Sequence, residues 1–156
     1  MRADEIPVAH TPAGGYGDEM PPPVLDGCTE PLAPGAPDMR GVWRVVSVEW
    51  KDEAPAGNRL EEHVERIEQC GDRVCITSSG VIHDMRADGT ADHGVNDVAA
   101  ATGTPISVVC TFEDGVHTLR PVGVPGVEIR RRLDGDQLVW DYGALFVARL
   151  ERVETS

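Results

Sequence analysis

"RGVWRVVSVEW", residues 40 to 50, is the stretch on which the fold turns. A glycine, one residue and a tryptophan open a run of β-branched and aromatic side chains that reads as a strand. Period-two alternation sets Trp43, Val45, Ser47 and Glu49 on one face, with Val46, Val48 and Trp50 on the other. The odd-numbered face is read as inward. It then carries a large ring at its start and a carboxylate near its end.

Downstream the pattern repeats as strands and turns. "HVERIEQC" and "RVCITSS" flank Gly71-Asp72, and "VIHDMRA" leads into Asp88-Gly89, where a hairpin into residues 90–95 is expected. "ISVVCTF" and "VHTLR" flank Asp114-Gly115, "GVEIRRRL" and "QLVWDY" flank Asp134-Gly135, and "LFVARLERV" follows. Asp-Gly between alternating runs is a strong hairpin signal. Leu60, Val64 and Ile67 have helical spacing, but strand is preferred from about His63. About eight antiparallel strands joined by short turns lose their edges most simply as an up-and-down β-barrel. The fold class expected is all-β.

Eight of the twelve prolines lie at or before Pro37, so residues 1–38 form neither ladder nor long helix. Composition there fits a disordered acidic tail. Ile6, Val8, Tyr16 and Met20 fit instead a lid docked over a barrel spanning residues 39–156, which is the organisation preferred.

The net charge of −13, with Lys51 the sole lysine, argues against nucleic acid or an anionic membrane as partner. The first ten residues lack the apolar run of a leader, and no stretch approaches 18 apolar residues, so a cytoplasmic protein is expected. Cys28, Cys70, Cys75 and Cys110 are then expected as free thiols, although Cys70 and Cys75 could face each other across a hairpin. No metal is expected, since among His63, His83, His93 and His117 no pair has the i, i+2 spacing of one strand face. No cofactor is expected either: the glycines sit at turns, and "TSSGV" lacks the context of a nucleophile elbow.

"GVWRVVSVE" resembles the opening strand of the calycin superfamily, the lipocalins and fatty-acid-binding proteins, and "LDGDQLVWDYGALFVARLERV" is similar to the last hairpins of the latter. That resemblance implies a lipocalin-like barrel with Trp43 in its floor and Arg149 as the closing-strand arginine. Fatty-acid-binding proteins follow Arg-x with Tyr where this chain has Glu151, which speaks against a simple fatty acid as ligand.

Alternation on the other strands assigns Glu65, Ile67 and Gln69, then Val81, His83 and Met85, to the interior. His117, Leu119, Leu138, Trp140 and Tyr142 join them. A register slip of one residue reverses any of these faces.

The architecture also resembles the small bacterial barrel cyclases of spirotetronate and spirotetramate polyketide biosynthesis. This implies a cofactor-independent [4+2] cycloaddition that closes a spiro ring in a linear polyene by confinement. Glu49, Gln69 and His83 are then the candidate catalytic groups that grip the substrate. Trp140, Tyr142, His117, Met85, Val45, Ser47 and Glu65 are candidate substrate-binding walls. The alternative is a non-catalytic carrier of a hydrophobic small molecule. Either way the partner is such a molecule, a linear polyketide on the first reading, and a homodimer stays open.

Overall fold

A computed structural model describes residues 1–9, 20–78, 80–91 and 107–153. Among the described residues, nine antiparallel strands account for nearly all of the regular structure: β1 (Gly41–Trp50), β2 (Val64–Cys70), β3 (Arg73–Ser78), β4 (Val81–Arg86), β5 (Val108–Glu113), β6 (Val116–Pro121), β7 (Ile129–Asp134), β8 (Gln137–Tyr142) and β9 (Phe146–Arg152). They form one sheet in the order β4-β3-β2-β1-β9-β8-β7-β6-β5. Pairing of β1 with β9 curls the sheet round, and its edges meet at an Asp88–Thr111 bridge. The result is a nearly closed up-and-down antiparallel barrel.

The turns follow from their residues. Asp114 and Gly115 both have positive φ (50° and 78°), a twist that suits two right-twisted strands. Asp88-Gly89 behaves otherwise. Within the described residues it joins β4 to no return strand, and residues 92–95 of the expected partner lie outside them. The helical spacing around Leu60 becomes only a 3₁₀ turn, Leu60–Glu62.

β1 departs from simple alternation. Its register on β9 breaks between Val45 and Ser47, an added residue at Val46 in the manner of a β-bulge. Up to the bulge Trp43 and Val45 face inward. Past it Val48 and Trp50 do, while Ser47 and Glu49 are exposed. The expectation that Glu49 and Ser47 face the interior is thereby corrected, because one extra residue inverts the period.

Trp43 is fully buried at the barrel floor, its indole N–H donating to the Met39 carbonyl at 2.8 Å. The arginine over its ring is Arg152, 4.5 Å from the centroid. Arg149 points outward, donating to Asp134 at 3.0 Å and to Gln137 at 3.1 Å. Parity explains the correction: Phe146, Ala148 and Leu150 are the buried residues of β9, and Arg152 continues their face.

The described part of the N-terminal extension covers the outside of β2–β4. Ala3, Ile6 and Leu25 pack with Cys70, Cys75 and Ile82 in a second apolar cluster. Arg73 holds the segment by donating to the carbonyls of Ala3, Ile6 and Pro7 while pairing with Asp84. The Glu68 carboxylate accepts from the backbone N–H of Val24 and Leu25. Gln69, at the floor end, accepts from Met39 N–H at 2.6 Å and donates to Pro37. Ile6 therefore seals an outer wall rather than the mouth; Val8 and Met20 are exposed, and Tyr16 lies outside the described residues. Outward-facing Cys70, Cys75 and Ile82 need a cover, and the tail's apolar residues supply it.

The thiol expectation also changes. Cys28 and Cys70 form a disulfide, whereas Cys75 and Cys110 are free and buried. Cys75 stands opposite Glu68, not Cys70, in the β2–β3 register.

A bridge over 42 residues restricts the unfolded chain, so Cys28→Ser/Cys70→Ser should lower unfolding stability by about 2–4 kcal/mol in urea titrations. In the same assay Arg152→Ala should cost about 0.5–1 kcal/mol, through its lost cation–π contact. Arg149→Ala, at an exposed ion pair, should change stability by less than about 0.5 kcal/mol.

Candidate functional site

Inward faces of the nine strands fill the floor half of the barrel with a dry core around Trp43, Met39, Leu138 and Leu150. Away from Trp43 the packing opens into a cavity of about 220 Å³. Ile76, His83 and Met85 form one wall; Arg131, Trp140 and Tyr142 form another. Val108, Leu119 and Ile129 complete an apolar belt between them. Half-buried His63, Ser78, Pro121 and Tyr142 bring the cavity to solvent near the strand ends.

Of the sequence-derived candidates, His83, Met85, Trp140 and Tyr142 border this cavity. Val45 packs in the core, Gln69 is committed to the floor, and Glu49 and Ser47 are outside. Glu65 and His117 are buried in the interior without bordering the cavity.

Glu65 meets an arginine the sequence reading passed over. Arg131 donates through Nε to Glu65 Oε2 at 3.0 Å and through Nη2 to Oε1 at 3.1 Å. His63 Nε2 lies 2.8 Å from the same Oε1, and a carboxylate there requires the N–H on Nε2. Both members of the ion pair are buried, so dehydration is costly and the two-pronged geometry has to offset it. Burial pushes the Glu65 carboxyl up, but the Arg131 charge and the His63 hydrogen bond outweigh it and hold the group at about 2. Arg131 was legible: in "IRRRL" the neighbours two residues away, Ile129 and Leu133, are apolar, and their face is the inward one.

Trp140 gathers the cavity's aromatic wall. Arg131 lies 4.7 Å over its ring, the His63 ring is 4.8 Å away, and Phe146 packs edge-on at 5.0 Å. Its Nε1 and Nδ1 of His83 are both buried, and neither has a hydrogen-bond partner among the described residues. Burial, then repulsion from Arg131, lowers His83 to about 4, leaving a neutral imidazole at pH 7.

His117 and Cys110 make a separate contact, Sγ to Nε2 at 2.7 Å. Burial pushes the thiol up to about 12 and, with Arg131, the imidazole down to about 3. Both partners are neutral. The pair is packed in the core and lacks the thiolate a nucleophile needs. Among the described residues no group of three His, Cys, Asp or Glu side chains forms a metal site, and no helix is long and apolar enough to cross a membrane.

No family model and no curated protein sequence matches the chain. Solved structures do. Zebrafish ileal bile acid-binding protein complexed with cholic acid superposes with a TM-score of 0.56 at 20% identity, over 73% of this chain and 98% of that one. The REP1-NXSQ fatty acid transporter gives 0.55 at 15%, over 76% and 98%. At such identities the likeness is one of fold alone: the chain shares the antiparallel β-barrel of these two proteins.

Neutral His117 has a pH consequence. In the unfolded chain it protonates near 6.5 and in the fold only near 3, so its contribution is complete above 6.5 and is lost as pH falls from 6.5 towards 3. Urea midpoints should fall between pH 7 and pH 4. His117→Phe should flatten that decline by up to about 1.4 kcal/mol per pH unit, the effect of one proton. An unchanged slope in the variant would assign the decline to other groups.

Proposed function

We propose that the barrel binds a small hydrophobic molecule and holds it without turnover. The observation that carries this is the cavity itself: an apolar belt, a wall of Trp140 and Tyr142, and few polar atoms, the usual make-up of a ligand site. The bile-acid and fatty-acid specificities named for the two fold neighbours are in keeping with it.

The cycloaddition reading stands second. It needs a polar grip on the substrate, and of Glu49, Gln69 and His83 only His83 borders the cavity. A space of about 220 Å³ also falls below the roughly 300–1,000 Å³ of pockets that enclose drug-sized ligands, which leaves little room for a folded linear polyketide. The Cys28–Cys70 disulfide favours an oxidising compartment over the cytoplasm.

Native mass spectrometry of the protein from its producing cells should reveal a bound apolar compound whose mass is unchanged on incubation. Leu119→Trp, which fills the cavity, should abolish that adduct while the far-ultraviolet circular dichroism of the barrel persists. A bound compound that converts to an isomer would restore the cyclase. An adduct retained by Leu119→Trp would put the ligand elsewhere.

A further inference from the structure

We propose that the cavity selects a small uncharged ring compound and discriminates against carboxylates. The inference rests on the binding function proposed above and specifies its ligand.

Size comes first. An apolar cavity of roughly 150 Å³ accommodates benzene. One of about 220 Å³ therefore takes a single ring with a short substituent. The flat faces of Trp140 and Tyr142, whose ring centroids lie 6.0 Å apart and whose planes meet at 69°, suit a ring better than a coiled chain.

Charge decides the head group. Arg131 is the cation at the cavity, and on its own it would attract an anion. Its Nε and Nη2 are already bound by the Glu65 carboxylate, which is fully buried behind it. A ligand carboxylate would have to share that guanidinium with Glu65, placing two negative charges together where water is scarce, or displace Glu65 and leave it buried and unpaired. Either route is costly. A neutral ligand meets neither cost.

The test is a titration of the ¹⁵N-labelled protein at pH 7 with acetophenone, benzoate and toluene, read from the indole N–H resonances of Trp43, Trp50 and Trp140. Trp140→Phe assigns the signal of interest. Acetophenone should shift the Trp140 indole and leave that of Trp43 unmoved, with benzoate at least tenfold weaker. Toluene, uncharged like acetophenone, should also bind more tightly than benzoate. Glu65→Gln, which releases the guanidinium, should tighten benzoate at least tenfold; if that variant does not fold, the wild-type comparison still decides. Benzoate binding as tightly as acetophenone to the wild type overturns the selectivity while the cavity remains a hydrophobic site. Failure of all three probes to bind overturns the binding function itself, and the inference with it.

Discussion

Glu65 and Arg131 reach each other across the inside of the barrel. Their strands, β2 and β7, are separated in the sheet by β1, β9 and β8, so the contact is made through the lumen and not along a ladder. The barrel therefore holds a charged cross-link among apolar neighbours, tolerable only because each charge supplies the hydrogen bonds the other lost from water. Removing either side would strand its partner, which gives the pair a strong hold on the shape of the fold. It also sets the character of the cavity. Arg131 presents a cation whose charge is already answered, His83 is kept neutral by burial and by that same cation, and Trp140 packs beneath the guanidinium.

Outside the barrel a different constraint operates. β3 is buried along five of its six residues, on both faces, because its inner side meets the core and its outer side meets the N-terminal extension. An edge region of an ordinary barrel would expose Cys75 and Ile82 to water. Here Ala3, Ile6 and Leu25 cover them, Arg73 gathers three backbone carbonyls that no strand could pair, and Cys28–Cys70 fastens the segment covalently. Buried polar backbone must find partners, and side chains of the sheet provide them. Proline-rich sequence and ordered structure are compatible for that reason.

Fold class, hairpins and most inward faces were legible in the sequence, because alternation and Asp-Gly turns are local signals and strand periodicity survives in any barrel. His83, Met85, Trp140 and Tyr142 could be assigned to the interior from their own strands alone. The burial of Trp43 was legible as well, from its place on the inward face at the head of β1. The parity of β9 could have yielded Arg152 in place of Arg149, had Phe146, Ala148 and Leu150 been used to fix the face first.

Other features depended on contacts between distant segments. A single bulge at Val46 turned Glu49 to solvent, and no local pattern announces one extra residue in a run of valines. The Arg131–Glu65 pairing spans 66 residues, and the Cys28–Cys70 bridge spans 42. Alternation says which face a side chain occupies, but not what stands opposite it once the sheet curls. The sequence alone determined a barrel with an aromatic floor and a mostly apolar interior. Only the tertiary structure decided that its internal charges cancel, since that depends on which inward faces meet across the lumen.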